Sequence, residues 1–117
     1  MTYQPPVRDH VFLLRDVLGL EAYSNLPHFA DAAMDVVEQI VEEAGRFTGE
    51  VLAPLNAVGD KEGCVWSPDH TVKTPTGFKD AYAQLVAGGW PALGAEPAYA
   101  GQGLPHVVNL SFSEMSS

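Results

Sequence analysis

Seven apolar residues at three- and four-residue spacing, Phe29, Ala33, Val36, Ile40, Ala44, Phe47 and Val51, commit residues 27–52 to one long amphipathic helix. Asp31, Asp35, Glu38 and Glu42 keep the same spacing on the other side, which is therefore solvated and acidic. Glu42 stands four residues before Arg46, an orientation that favours an ion pair on a helix surface but adds only a few tenths of a kcal/mol. Burial of the stripe must hold the helix. A stripe with Phe near both ends needs partners along its length, and the remaining residues have to supply them.

Before this helix, Pro5-Pro6 makes the entry extended, and Asp9 serves as N-cap of a short helix that Gly19 ends. Val11, Leu14 and Leu18 form its apolar face, and Phe12, Leu13 and Val17 make it apolar nearly all round, which calls for burial on two sides. Pro27 suits the first turn of the long helix, and Pro54 stops or kinks it around residues 52–56. Residues 58–74 are polar and broken by Gly59, Gly63 and Pro68, so a long loop is expected. Within it, Val65-Trp66 and Val72-Lys73 can pair as a ribbon about a turn at Asp69-His70. Thr74-Pro75 opens a third helix with Phe78, Tyr82 and Leu85 on its apolar face; Gly88-Gly89 closes it, and Trp90 packs back on it. After an irregular stretch at 91–103, Leu104-Pro105 leads into a last helix carrying Val108, Ser111, Phe112 and Met115. No helix-stop signal precedes Ser117, so an unfinished helix and a longer parent protein are expected. The fold class predicted is all-α: an up-down domain of about four helices, with a long loop between the second and third.

Fifteen acidic against six basic residues, a net charge of −9, argue against nucleic acid or an anionic membrane as partner. A single cysteine, Cys64, rules out an internal disulfide and a cysteine-rich metal site, and suits a reducing compartment. Residues 1–9 lack a basic start and apolar run, and no apolar stretch reaches membrane-spanning length, so a cytoplasmic protein is expected.

Chemistry is harder to find. Gly101-Gln102-Gly103 resembles the start of a phosphate loop, but no strand precedes it and no third glycine or Lys-Ser/Thr pair follows, so backbone shaping before a helix is the better reading. Cys64 and His70 could be imagined as nucleophile and base, yet they share a loop with no orienting third group. His10, His28, His70 and His106 never fall at metal-ligand spacing. The acidic helix face has no apolar pocket to raise a carboxyl pKa, so it reads as a solvated face rather than acid/base machinery. Trp66 and Trp90 read as core, with Trp90 alternatively part of a docking surface. No catalytic, cofactor-binding or metal-ligating residue is assigned.

Several long runs nonetheless carry a resemblance. Glu43-Ala-Gly-Arg-Phe, the stretch from Val51-Leu-Ala-Pro-Leu-Asn-Ala-Val-Gly to Cys64, Thr74-Pro-Thr-Gly-Phe78, Gly88-Gly-Trp-Pro91 and Tyr99-Ala-Gly-Gln-Gly-Leu-Pro105 closely resemble, in order, the beginning of FAD-dependent acyl-CoA dehydrogenases. The segment Tyr3-Gln-Pro-Pro-Val-Arg-Asp-His-Val-Phe-Leu-Leu14 is similar to the opening of the 3-methylthiopropionyl-CoA dehydrogenase-like branch. The resemblance covers essentially the whole chain. It implies an N-terminal extension at 1–26 with a short helix, then at 27–117 the family's N-terminal helical domain, incomplete at its C-terminal end. It further implies a downstream β-domain and C-terminal helical domain with FAD between them, homo-oligomerisation, and electron-transfer flavoprotein as acceptor.

The implied reaction is α,β-dehydrogenation of an acyl-CoA thioester, in which a glutamate takes the α-proton as hydride leaves the β-carbon for the flavin. In the family that glutamate and the flavin contacts lie beyond the position of Ser117, so neither transfers to a residue here, and this chain alone is expected to bind no FAD and to be inactive. Ala100 departs from the family pattern, which usually has a glycine able to adopt positive φ at that place. Two functional expectations follow. One is a wall of the substrate and flavin cavity; the other is a stand-alone interaction module that docks through Phe12, Trp90 and Phe112.

Overall fold

The structure, a computed structural model, describes residues 2–117. It is helical apart from one two-stranded ribbon, as the all-α expectation requires. Helix α1 (Val7–Phe12) runs on into a π-helical turn at Leu13–Val17, and Gly19, at φ +60°, ends it. Helix α2 (Met34–Phe47) likewise passes into a π-helical turn at Thr48–Leu52. Helix α3 (Leu55–Glu62), strands β1 (Val65–Trp66) and β2 (Val72–Lys73), helix α4 (Phe78–Ala87) and helix α5 (His106–Ser116) complete the order. The antiparallel ribbon pairs Val65 with Lys73 and Trp66 with Val72 about the expected turn.

Four expectations need correction. The long helix begins at Met34, not Pro27, because His28 takes φ +71° and Ala33 is extended, so residues 27–33 form turns. Its first turn is capped from a distance: the Met34 N–H donates to Glu21 Oε1 at 3.3 Å. The polar stretch after Pro54 is partly helical, since α3 restarts directly beyond the proline, where a missing N–H costs nothing. The most buried arc of α2 is Met34, Val37, Val41, Ala44, Gly45 and Thr48, rotated from the expected stripe, and Val36 is exposed. The reason is that α2 sits against both α1 and α5, so its buried arc is wider than one stripe. Ile40 and Phe47 lie on the edge of that arc and are only partly buried. The surface pair of Arg46 is Glu43 at 2.8 Å, not Glu42.

The core is small and local to α1, α2, α5 and the turns beside them. Val11 and Leu14 join Val37, Val41, Ala44, Leu93, Leu104, Val108, Phe112 and Met115 in one buried cluster. A methyl group on Gly45 would overlap the Val7 side chain, so α1 starts in close approach to α2. The Tyr3 hydroxyl donates to the Met115 carbonyl at 3.0 Å, which ties the entry segment to α5. Only one side of α1 is covered; Phe12, Leu13, Val17 and Leu18 face outward, against the expected two-sided burial.

The molecule is a plate. Its extents are 55 × 38 × 17 Å and its radius of gyration is 16.8 Å, against about 13 Å for a compact domain of this length. Its accessible surface is 7984 Å², where a compact monomer of 12.5 kDa exposes roughly 6,200 Å².

Candidate functional site

The part of the plate with the most organised side chains is the segment between α4 and α5. Trp90 follows the left-handed Gly89 and is held between two rings: Phe47 of α2 at 6.1 Å and Phe112 of α5 at 4.8 Å, each inclined by 19°. These stacked contacts join three elements that are remote in sequence, and each aromatic pair adds about 0.5–1.5 kcal/mol beyond area burial. Trp90 was expected to pack on its own helix; it packs mainly across to α2 and α5. Beside it lies a cleft of about 290 Å³ with Val36, Ile40, Trp90 and Leu93 as apolar walls and Glu43 and Gln102 at its polar rim. An apolar chain fits such a lining. No acid/base pair faces it.

The glycine turn that follows is a structural brace. The N–H groups of Gly101, Gln102, Gly103 and Leu104 donate to the carbonyls of Glu96, Ala92, Ala95 and Leu93, at 2.9 to 3.1 Å. A Cβ on Gly101 would fall inside the Ala95 carbonyl, so only glycine allows the two backbone runs to approach. All four donors are consumed. The turn therefore offers no cradle for a diphosphate, and the residues here do not fit the phosphate end of a flavin nucleotide. Ala100, just before the turn, has φ +64° and ψ +21°, the left-handed conformation that glycine adopts freely.

The other residues weighed from sequence do not converge. Cys64 is exposed, and no hydrogen bond among the described residues joins it to His70, whose ring meets Trp66 edge-on at 6.2 Å. His10 is buried, its Nε2 has no hydrogen-bond partner, and the nearest carboxylate is Glu114 at 3.9 Å. His28 faces Glu96 at 3.4 Å. No three His, Cys, Asp or Glu residues among those described gather as a metal site. At the ribbon tip, the Thr71 hydroxyl and N–H donate to Asp69 Oδ1 at 2.7 and 3.1 Å and hold its carboxyl below the usual aspartate range. That geometry stabilises the ribbon turn. The α2 acids are spread on solvent, with Glu38 bridging to Arg15 of the π-helical turn that follows α1. Sequence spacing could not reveal the Trp90 sandwich, because Phe47, Trp90 and Phe112 share no period.

No protein-family model matches the chain. It is 37% identical over 115 residues to a 3-methylmercaptopropionyl-CoA dehydrogenase of Ruegeria pomeroyi, an alignment covering 98% of this chain and 19% of that protein. Nearly the whole chain is homologous to a stretch of that acyl-CoA dehydrogenase. A broad-specificity linear acyl-CoA dehydrogenase of Mycobacterium tuberculosis is 30% identical over 107 residues, covering 91% of this chain and 18% of its own length. The chain thus spans about a fifth of the length of the curated relatives it matches. Its helical architecture is compatible with the N-terminal helical domain of the family. No described helix is long and apolar enough to cross a membrane.

Proposed function

We propose that the chain is one wall of the acyl-CoA and flavin cavity of an FAD-dependent acyl-CoA dehydrogenase that forms the α,β double bond of an acyl thioester. The observation that carries this reading is likeness along nearly the whole chain to two acyl-CoA dehydrogenases, in a plate too thin to enclose a cavity by itself. The surface excess of roughly 1,800 Å² over a compact monomer is comparable to the roughly 800 Å² that each partner buries in a standard interface, taken about twice. Companion domains of the same enzyme, a β-domain and a second helical domain, supply that cover. The flavin, when bound there, takes the hydride; this plate contributes apolar walls that exclude water and orient the acyl chain. The greater identity to the 3-methylmercaptopropionyl-CoA enzyme supports a 3-methylthiopropionyl-type thioester as substrate. The enzyme proposed is a cytoplasmic homo-oligomer that passes electrons to an electron-transfer flavoprotein.

The test is the mass of the native protein, isolated with an antibody against the exposed acidic side of α2. A species several times larger than 12.5 kDa that carries flavin and oxidises acyl-CoA is the expected result. A flavin-free species of 12.5 kDa would overturn it, leaving a helical interaction module derived from the same domain.

A further inference from the structure

The residues 55–87, comprising α3, the ribbon and α4, are built differently from the rest of the plate. None of them belongs to the buried core cluster, and Leu85 alone among them packs against it. No ion pair among the described residues links them to the body; the four present all lie outside 55–87. Their hydrogen bonds stay within the segment or in the turns at its two ends, such as Asn56 N–H to Ala53 and Gly89 N–H to Val86. The body, by contrast, is cross-tied by Tyr3 to Met115, Arg15 to Glu38 and Met34 to Glu21.

Internally the segment is well knit. The tip of the Phe78 ring abuts Gly59, close enough that a Cβ there would stand 2.9 Å from Cζ. Leu55 covers Gly77, Pro75 and Ala81 are buried, and Glu62 accepts from both the N–H and the hydroxyl of Thr76 at 2.8 and 3.0 Å. A segment that is stiff within and nearly untied without has the anatomy of a hinged body. Both ends suit hinges. One follows the π-helical turn at Ala53-Pro54, where the helical hydrogen-bond ladder is interrupted; the other is Gly88-Gly89, with Gly89 at φ +75°.

We propose that residues 55–87 form an arm that pivots as one body about Ala53-Pro54 and Gly88-Gly89. Gly88 also lines the Trp90 cleft, so one of the two pivots stands at the edge of that cleft. The inference rests on packing within this chain and is independent of the enzymatic reading above.

Cys64, exposed in the arm and the lone cysteine of the chain, makes the test direct. Three spin-labelled forms of the full chain are compared by electron–electron dipolar distance measurement, all at exposed positions. Cys64 with Ser113→Cys spans arm and body, Cys64 with Lys79→Cys lies within the arm, and Asp31→Cys with Ser113→Cys in a Cys64→Ser background lies within the body. The arm-to-body distribution is expected to be roughly twice as wide as either internal one, as for a hinged rigid unit. Three equal widths would refute the pivot. A within-arm distribution as wide as the arm-to-body one would refute the single body, because the arm would then be loosening piecemeal. A broad within-body distribution would refute the fixed frame.

Discussion

Replacing Ala100 by glycine is expected to stabilise the protein, although it removes a methyl group and frees the unfolded backbone. Ala100 is exposed and has φ +64°, so its Cβ makes no core contact and meets its own backbone instead. A left-handed conformation costs a non-glycine residue about 1–2 kcal/mol. Glycine relieves that strain and loses about 0.5–1 kcal/mol through the extra freedom of the unfolded chain. The balance is a gain of about 0.5–1 kcal/mol, or a rise of about 2–5 °C in Tm for a domain of this size. Ala98, two residues earlier in the 3-10 turn Pro97–Tyr99, is the control, because its φ is negative. The Ala98→Gly variant has no strain to relieve and is expected to lose about 0.5–1 kcal/mol. Thermal unfolding followed by circular dichroism, with urea titration to obtain the free energies, measures both. Equal destabilisation by the two substitutions would refute the argument, since it would mean that the backbone at Ala100 is not left-handed in solution.

Three further expectations follow from the packing. A double-mutant cycle on Trp90→Leu and Phe112→Leu should give a favourable coupling of about 1 kcal/mol in urea unfolding, reflecting the 4.8 Å stack; additive effects would deny that the rings touch. Thr71→Val removes the hydroxyl that contributes most to lowering the Asp69 pKa, so NMR titration should find that pKa moved up towards the ordinary aspartate value. Because the folded value is depressed, the contribution of Asp69 to stability is present above the unfolded aspartate pKa and fades as pH falls through the folded one; the valine variant should fade at higher pH. The isolated chain should enhance the fluorescence of an apolar dye while keeping its helical circular dichroism. Phe12, Val17, Trp66, Tyr82 and Tyr99 are all more than half exposed, and a chain that bound no dye would be a self-sufficient module.

Local chemistry was legible in the sequence where it depends on neighbours. The stop at Gly19, the ribbon about Asp69-His70, the closure of α4 at Gly88-Gly89 and the inward face of α5 through Val108, Ser111, Phe112 and Met115 all follow from short-range rules. The start of α2 was not legible, because its cap is the side chain of Glu21, thirteen positions away. Nor was its buried arc, because periodicity finds one stripe and α2 has partners on two sides. The helix α3 was concealed by a polar composition with no buried residue, so no apolar stripe marked it. As for the candidate site, the role of Gly101-Gln102-Gly103 as backbone shaping could be argued from what was missing around it. The Trp90 sandwich depends on tertiary meeting alone.

The thinness of the plate has a consequence for how such a sequence can drift. Across 17 Å there is room for no more than two layers of helices, which pack about 8–10 Å apart. Almost any side chain is then within one neighbour of both broad sides. A change on the outside of α2 presses on Val37 or Ile40, and through them on whatever rests against the opposite side. Positions that would be free to vary on a thick domain are here accountable to two environments at once, and variants selected for one of them will be filtered by the other.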